Sequence, residues 1–152
     1  MKPTGISHIA LGVRDMERSL AFYRDTLGFE LVRDEVQPTA GTVLPALYRN
    51  EHAERRVATL YWERAVGAAF LVLSEHNDKP VHGEAIKLDD VGIHHVGFWV
   101  EDLDAVHGEL KARGVEFDVE PSLVKVADGT FKSAFFSDPD GILLQLDQWI
   151  TD

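Results

Sequence analysis

The stretch HIALGVRD at residues 8–15 has a counterpart in HVGFWVED at residues 95–102. Both stretches begin with histidine, continue through branched or aromatic residues in the pattern of a β-strand, and end at an aspartate suited to cap a helix. A helical pattern follows each aspartate and ends at a glycine, which is Gly28 in the first copy and Gly114 in the second. The chain therefore repeats a strand and a helix, with a histidine at the start of each copy.

Three further strands are predicted after the helix in each copy. Runs of branched and aromatic residues define them, and turn-forming residues separate them. The sequence DPDG at residues 138–141 is a strong turn signal, because proline stands at its second position and glycine at its fourth. Residues 37–54 are polar, contain two prolines and a glycine, and are predicted to form a long loop. The predicted strands lie at residues 29–36, 56–62 and 68–74 in the first copy and at residues 115–120, 131–137 and 142–148 in the second.

This order predicts a single domain over residues 1–152 that consists of two tandem βαβββ modules. The first module covers about residues 5–75 and the second about residues 92–150. The segment between them, at about residues 76–91, is rich in charge and shows no strong periodicity. We therefore predict that this segment is a linker.

The composition places the chain among globular proteins and excludes several functional classes. The 152 residues are 45% hydrophobic and 27% charged, which is typical of a folded domain. A formal net charge of -11 argues against nucleic acid as a partner, because phosphates call for a basic surface. The absence of cysteine excludes disulfides and Cys-ligated zinc. No signal-peptide pattern or long apolar run is found, so a cytoplasmic location without membrane association is expected.

The alternation of side chains along a strand predicts which residues share a face. In the first strand of each copy the aliphatic residues share one face, which suits packing on the helix, and His8 and His95 lie on the other. Gln145 falls on the histidine side of the last strand. Aligning the glycines that precede the last strands matches Leu71 to Gln145. The histidine side is therefore predicted to form the wall of a cavity.

Three features together resemble the vicinal oxygen chelate superfamily, which includes glyoxalases, extradiol ring-cleaving dioxygenases, fosfomycin-resistance enzymes, methylmalonyl-CoA epimerases and bleomycin-binding proteins. They are the two histidine strand starts, the stretch YRDTLGF at residues 23–29, and the DPDG turn before the last strand. The resemblance covers nearly the whole chain. It implies an α+β fold in which the two βαβββ modules form a cup-shaped, partly open β-barrel with the helices outside. It also implies a homodimer.

The resemblance further implies a divalent metal ion and its ligands. Glyoxalase-like members take one ligand from the first and one from the last strand of each module, and Leu71 would fill one of these positions although it cannot bind a metal. Extradiol dioxygenases use two histidines and a glutamate, and His8, His95 and Gln145 stand at those positions. Fe(II) or Mn(II) is the favoured ion. Because Gln145 supplies no charge, a site without metal stays open, and Glu75 is an additional candidate ligand.

Other residues are candidates for lining the pocket or for structural roles. For each pocket candidate an ordinary place in the core is the alternative, and Tyr48 is expected to cover the cavity from the long loop. His94 is expected on the helix side. Four further histidines, His52, His76, His82 and His107, are expected to be solvated. The pocket candidates are Leu71, Leu73, Tyr61, Trp62, Trp99 and Tyr48.

Three functions compete, and no catalytic residue is assigned. The first is a metal-dependent oxidoreductase resembling a small extradiol dioxygenase, which would chelate two adjacent oxygens of a catechol-like substrate. The second is a metal-free protein that sequesters a flat or hydrophobic small molecule, similar to the bleomycin-binding branch. The third is a lyase, isomerase or epimerase, for which Glu75 is the best candidate base. All three take a small molecule, aromatic or with vicinal oxygens, as the partner.

Overall fold

The two predicted modules are both present and have the same order of elements. The computed structural model describes residues 2–150, so the outermost residues of the predicted domain, Met1, Thr151 and Asp152, lie outside the described part. The chain divides into two compact units, one ending at Gly83 and the other beginning at Glu84. Each unit has one α-helix and one four-stranded mixed sheet. The prediction of an α+β fold built from two tandem βαβββ modules is confirmed.

The first unit is a sheet with the strand order β1-β4-β3-β2. Strand β1 pairs with β4 in parallel, and the other two pairs are antiparallel. The strands are β1 (His8–Gly12), β2 (Glu30–Pro38), β3 (Glu54–Tyr61) and β4 (Phe70–Glu75). The parallel pair requires a crossover, and the helical segment between β1 and β2 covers one face of the sheet.

The second unit repeats this arrangement with the order β5-β8-β7-β6. Strand β5 pairs with β8 in parallel, and the remaining pairs are antiparallel. The strands are β5 (His95–Trp99), β6 (Phe117–Val126), β7 (Gly129–Ser137) and β8 (Leu143–Ile150). The DPDG turn leads into β8, and the side chain of Asp138 accepts hydrogen bonds from the backbone nitrogens of Asp140 (2.9 Å) and Ile142 (2.8 Å).

The helices begin at the predicted aspartates. The Asp15 carboxylate accepts a hydrogen bond from the nitrogen of Arg18 at the start of α1 (Met16–Leu20), and the Asp102 carboxylate accepts one from the nitrogen of Ala105 in α2 (Leu103–Ala112). These bonds satisfy backbone donors that the first turn of a helix leaves free. In the first unit the α-helix continues as a wider π-helical segment at Ala21–Thr26.

Each unit has a core between its helix and one face of its sheet. Met16, Leu20 and Tyr23 of the helical segment are buried together with alternate residues of the inner strands. This burial supplies most of the driving force for folding, at about 25 cal/mol per Å² of apolar surface. The apolar residues buried on this face are Val13, Met16, Leu20, Tyr23, Ala58, Leu60, Leu71 and Leu73 in the first unit and Val96, Leu103, Leu110, Ala134, Phe136, Leu144 and Leu146 in the second, and Val57 is buried on the opposite face of the first sheet.

Two loop predictions need correction. Strand β6 does not end at residue 120 but continues to Val126 and forms a hairpin with β7, whose first residue is Gly129. The predicted long loop at residues 37–54 begins later, after Pro38, and contains a short 3₁₀ turn at Leu44–Leu47. Within residues 2–150, none of the helices has the length and apolar character needed to cross a membrane.

Candidate functional site

The register of the first sheet corrects the predicted match between Leu71 and Gln145. Leu71 pairs with Ile9, whereas Val72 pairs with Ala10. Gln145 pairs with Gly97, the counterpart of Ala10 in the second unit. Val72 therefore occupies the position that corresponds to Gln145. The reason is that one additional residue separates the turn glycine from the strand in the first unit, and a shift of one residue moves every side chain to the other face.

Two of the pocket candidates and the additional ligand candidate lie on the helix side of the first sheet. Leu71 and Leu73 are 1% and 0% exposed and belong to the core. The carboxylate of Glu75 is also buried. Its Oε1 accepts a hydrogen bond from the nitrogen of Met16 (2.9 Å), and its Oε2 accepts one from Nδ2 of Asn77 (3.0 Å). Glu75 thus stabilises the N-terminus of α1 and lies on the face opposite His8, because the strand end does not curl inward.

His8 lies on the open face of the first sheet within a row of aromatic rings. Its ring stacks on Phe70 with 5.4 Å between centroids, and Phe70 lies 5.3 Å from Tyr61. Nδ1 of His8 is hydrogen-bonded to Oγ of Ser7 (3.0 Å). Tyr61 therefore lies on the predicted face. The ring of Trp62 lies 6.1 Å from that of Phe29.

His95 lies at the corresponding place in the second unit and is paired with His94. The two Nδ1 atoms are 2.7 Å apart and the ring centroids 4.8 Å apart, so one ring donates a hydrogen bond to the other. The expected position of His94 on the helix side is wrong. Strand β5 begins only at His95, so the alternation of side chains does not extend to His94.

Gln145 is part of a small polar network on the same sheet face. Its Nε2 donates hydrogen bonds to Oδ1 of Asp147 (2.7 Å) and to Oγ of Ser133 (3.3 Å). The hydroxyl of Ser133 donates to the same Oδ1. A Cβ atom at Gly97 would lie 3.5 Å from Oδ2 of Asp147. The carboxylate of Asp147 thus lies on the histidine face, and its Oδ1 is held by hydrogen bonds from Gln145 and Ser133. The alternation placed it there, but sequence reasoning assigned it no role.

Three aromatic residues form an exposed group farther along this face. Trp99 is 68% exposed, and its ring lies 6.5 Å from Phe131 and 6.3 Å from Trp149. Phe131 and Trp149 are stacked with an interplanar angle of 15°. Trp149 lies directly on the backbone at Gly129, where a Cβ atom would be 2.6 Å from its ring. Trp99 was predicted from sequence, whereas Phe131 and Trp149 could have been found from the same alternation along β7 and β8.

The long loop brings three rings together at the end of the first sheet. The ring centroid of His76 lies 5.0 Å from that of Tyr48 and 4.5 Å from that of His52. His52 Nδ1 lies 2.6 Å from Oδ1 of Asp78. Burial lowers the pKa of His76, and the neighbouring His52 and Arg55 lower it further, with an opposing effect from Asp78.

Three of the four expected solvated histidines therefore have a different environment. His52 and His76 are packed in the ring cluster because the loop folds back on the end of β4. His107 is largely covered, and its Nε2 lies 2.6 Å from Oε2 of Glu120. Only His82 fits the expectation among these residues, since it is exposed, with Nε2 2.8 Å from Nδ2 of Asn50.

The donor atoms of the predicted metal ligands are available for binding. Within residues 2–150, Nε2 of His8, Nε2 of His95 and Oε1 of Gln145 have no hydrogen-bond partner. A hydrogen bond on Nδ1, as both histidines have, is the usual arrangement when Nε2 binds a metal. All three donors are neutral, and the described residues contain no group of three or more His, Cys, Asp or Glu side chains that could hold a metal ion. Their role as metal ligands stays a prediction.

Two βαβββ modules, each with a histidine at the start of its first strand, define the class of protein. The chain belongs to the Glyoxalase/Bleomycin resistance protein/Dioxygenase superfamily, whose family model matches residues 5–146. The fold is shared with a glyoxalase family protein from Bacillus cereus, with a TM-score of 0.77, 18% identity, and coverage of 99% of this chain and 97% of the other.

Two enzymes are similar to this chain over most of its length. Lactoylglutathione lyase of Haemophilus influenzae is 30% identical over 142 residues, which is 92% of this chain and 89% of the relative. Ethylmalonyl-CoA/methylmalonyl-CoA epimerase of Cereibacter sphaeroides is 30% identical over 110 residues, which is 72% of this chain and 70% of the relative. These relatives carry the names of a lyase and an epimerase.

Proposed function

We propose that the protein is an enzyme of the lyase or isomerase type that moves a proton at a carbon next to a carbonyl group in a small molecule with adjacent oxygens. The names of the lyase and epimerase relatives support this class of reaction. They favour it over ring cleavage by a dioxygenase, which was the first hypothesis from sequence. Epimerisation next to a carbonyl needs a base that removes the proton and an acid that returns it.

The carboxylate of Asp147 is the observation that carries this proposal. Oδ1 accepts hydrogen bonds from Gln145 and Ser133, which fix the orientation of the group. Oδ2 has no hydrogen-bond partner within the described residues, and the neighbouring Gly97 has no side chain to cover it. Asp147 therefore has one oxygen for positioning and one oxygen that can accept a proton from a substrate carbon.

The proton transfer can be written with these groups. Oδ2 of Asp147 takes the proton from the carbon next to the carbonyl, and the electron pair of the broken C–H bond moves into the carbonyl to give an enolate. The protonated Asp147 then returns the proton to a carbon of the enolate and regains its charge. The amide of Gln145 stays bonded to Oδ1 throughout, so the base keeps its orientation in both directions.

His8, His95 and Gln145 stay the proposed ligands of a divalent metal ion, with Fe(II) or Mn(II) favoured. When bound, such an ion would polarise a substrate oxygen as a Lewis acid. The free Nε2 atoms and the free amide oxygen suit this role. With Val72 and Gln145 at the last-strand positions, the set contains no carboxylate, so we propose that a hard ion binds weakly or not at all in the absence of substrate.

A deuterium-exchange experiment tests the proposal. The protein is incubated in D₂O with hemithioacetals of 2-oxoaldehydes, 2-substituted acyl thioesters and 2-hydroxyketones, with and without added Mn(II), and mass spectrometry follows the incorporation of deuterium. We expect exchange with at least one class for the wild type and a loss of about 100-fold or more for Asp147→Asn. Asp89→Asn, a change at an exposed carboxylate, is the matched control. Equal exchange by Asp147→Asn would exclude Asp147 as the base.

A second candidate function is the binding of a flat molecule without reaction. The exposed group of Trp99, Phe131 and Trp149 favours it, because such rings present a large stacking surface. Quenching of tryptophan fluorescence by an aromatic compound, with a Kd in the micromolar range or below and with no deuterium exchange for any substrate class, would support binding over catalysis. We also propose a homodimer, which light scattering would detect as twice the 17.0 kDa of one chain.

A further inference from the structure

Buried polar atoms without partners are concentrated in one part of the first unit. Apart from Nε2 of His107, which lies 2.6 Å from Oε2 of Glu120, five side-chain nitrogen or oxygen atoms in the described residues are buried and lack a partner. Four of them belong to Tyr48, Arg55, Ser74 and His76. A buried polar atom without a partner costs folding free energy, so a group of such atoms indicates a missing partner that supplies hydrogen bonds.

These four residues lie near one another at one end of the open sheet face. Ser74 pairs with Val57 in the register between β3 and β4, and Arg55 precedes Val57 by two residues on the same side of the strand. His76 follows Ser74 by two residues and is close enough to Arg55 to feel its charge. The ring of Tyr48 packs against His76 with 5.0 Å between centroids.

The charge of Arg55 points to the kind of partner that is missing. Its Nη2 donates to the neutral Oε1 of Gln37 (3.1 Å), and no carboxylate within the described residues forms an ion pair with it. The carboxylate of Asp78 accepts hydrogen bonds from His52 and from the nitrogen of Ala53 instead. In this respect Arg55 differs from four other arginines, which form ion pairs with acidic side chains: Arg24, Arg33, Arg56 and Arg64.

A partly buried guanidinium without a counterion is unusual in a chain with a net charge of -11. Burial of a charge is tolerated when a partner of opposite charge and hydrogen bonds accompany it. Nε of Arg55 can only donate, the hydroxyl of Tyr48 can donate, and a neutral His76 can donate through Nε2. An acceptor with negative charge would satisfy all three donors and the charge of Arg55.

We propose that Arg55, Tyr48 and His76 form a subsite for the carboxylate group of a small-molecule ligand. One unpaired positive charge matches one negative charge, which favours a carboxylate over a phosphate dianion. This subsite is independent of the proposed proton transfer, because it requires a ligand with an acidic group but no particular reaction. It gives the protein a preference for acids over the corresponding neutral compounds.

The test follows the side-chain N–H signal of Arg55 in the ¹⁵N–¹H NMR spectrum of the whole chain. The probes are acetate, benzoate and 4-phenylbutyrate, the uncharged amide of each, and inorganic phosphate. We expect at least one carboxylate to shift the Arg55 Nε–H signal in a saturable way, with an affinity at least 10-fold higher than that of its amide. Equal affinity of acid and amide, or binding of phosphate without binding of any carboxylate, would overturn the proposal.

Variants test whether the carboxylate affinity depends on the residues of this subsite. Arg55→Gln is expected to lower the carboxylate affinity at least 10-fold, and Tyr48→Phe, which removes only a hydroxyl, at least 3-fold. Arg24→Gln removes an exposed and paired guanidinium and is expected to leave the affinity unchanged. If Arg55→Gln does not fold, Tyr48→Phe decides alone, and an unchanged affinity in Tyr48→Phe would exclude the subsite. Asp147→Asn should still bind carboxylates, so failure of the proposed reaction leaves this result intact.

Discussion

Gln145 and Asp147 lie two residues apart on β8 and are joined by a hydrogen bond of 2.7 Å from Nε2 to Oδ1. The two side chains share one face of the sheet, so the bond orients both groups at once. It directs the amide nitrogen of Gln145 to the carboxylate and leaves its amide oxygen free. The pair therefore places one neutral and one negatively charged oxygen on the histidine face.

The first prediction concerns Gln145→Glu. This change adds a carboxylate to the predicted ligand set, and we expect the affinity for Mn(II), measured by isothermal titration calorimetry, to rise about 10-fold or more. The metal-free variant should be less stable by about 1–3 kcal/mol, because a second carboxylate faces Asp147 and a hydrogen bond is lost. The double variant Gln145→Glu with His95→Ala should lose the gain in affinity. A gain that persists without His95 would show that the metal binds elsewhere.

The register of the first sheet leads to a prediction about stability. Leu71→Ala should lower the free energy of unfolding by about 2–5 kcal/mol, because the side chain is 1% exposed and its removal leaves a cavity in the core. Val72→Ala should cost less, since Val72 lies on the open face and is half-buried. Urea denaturation of both variants measures the difference. Equal costs, or a larger cost for Val72→Ala, would contradict the register.

Glu75→Gln separates a structural role from a catalytic one. The carboxylate of Glu75 accepts the hydrogen bond from the nitrogen of Met16 at the start of α1, so its neutralisation should lower the stability by about 1 kcal/mol. The rate of deuterium exchange should remain that of the wild type, because the group lies on the helix side of the sheet. Thermal denaturation and the exchange assay give the two readouts. A stable variant with lost exchange would make Glu75 the base in place of Asp147.

The environment of His76 predicts a dependence of stability on pH. Burial lowers the pKa of His76 in the folded state, with further lowering by His52 and Arg55 and an opposing effect from Asp78. The unfolded chain therefore binds more protons, and the stabilising contribution of the neutral ring is complete above the unfolded pKa of about 6.5 and is lost progressively as the pH falls below it. Urea denaturation between pH 7.5 and 5 should show this loss.

Replacement of His76 provides the control for this pH effect. His76→Gln should flatten the decline in stability between pH 7.5 and 5, whereas His82→Gln, a change at an exposed histidine, should leave the decline as in the wild type. If the wild type, His76→Gln and His82→Gln show the same decline, the pH dependence of stability comes from groups other than His76. Carboxylates with a lowered pKa, such as Asp34 beside Arg56, are protonated only at more acidic pH and do not contribute to the decline in stability between pH 7.5 and 5.

The repeat, the caps and the faces of the strands could be predicted because they depend on local signals. Asp15 and Asp102 cap helices for reasons that lie within a few residues, and alternation placed His8 and Gln145 correctly. The match of Leu71 to Gln145 failed because the register depends on the length of a turn, which the two modules do not share. Asp128 before Gly129 is a hairpin signal that could have extended β6.

The polar cluster around Arg55 could not be predicted from local patterns. Tyr48 and His52 lie in a loop, and their contact with His76 depends on how that loop folds over the end of β4. The sequence analysis expected His52 and His76 to be solvated, because loops are usually on the surface. The unpaired guanidinium becomes visible only when the positions of the acidic side chains are known.

The parallel pairing of first and last strands has a consequence for the order of folding. β1 is at the edge of its sheet and has β4 as its neighbour, so it cannot join the sheet during synthesis until the paired residues of β4 have left the ribosome. His8 is thus fixed only when the last strand of its module arrives, and the same holds for His95 and β8. Each module must therefore pair its last strand with its first before its histidine takes its final position.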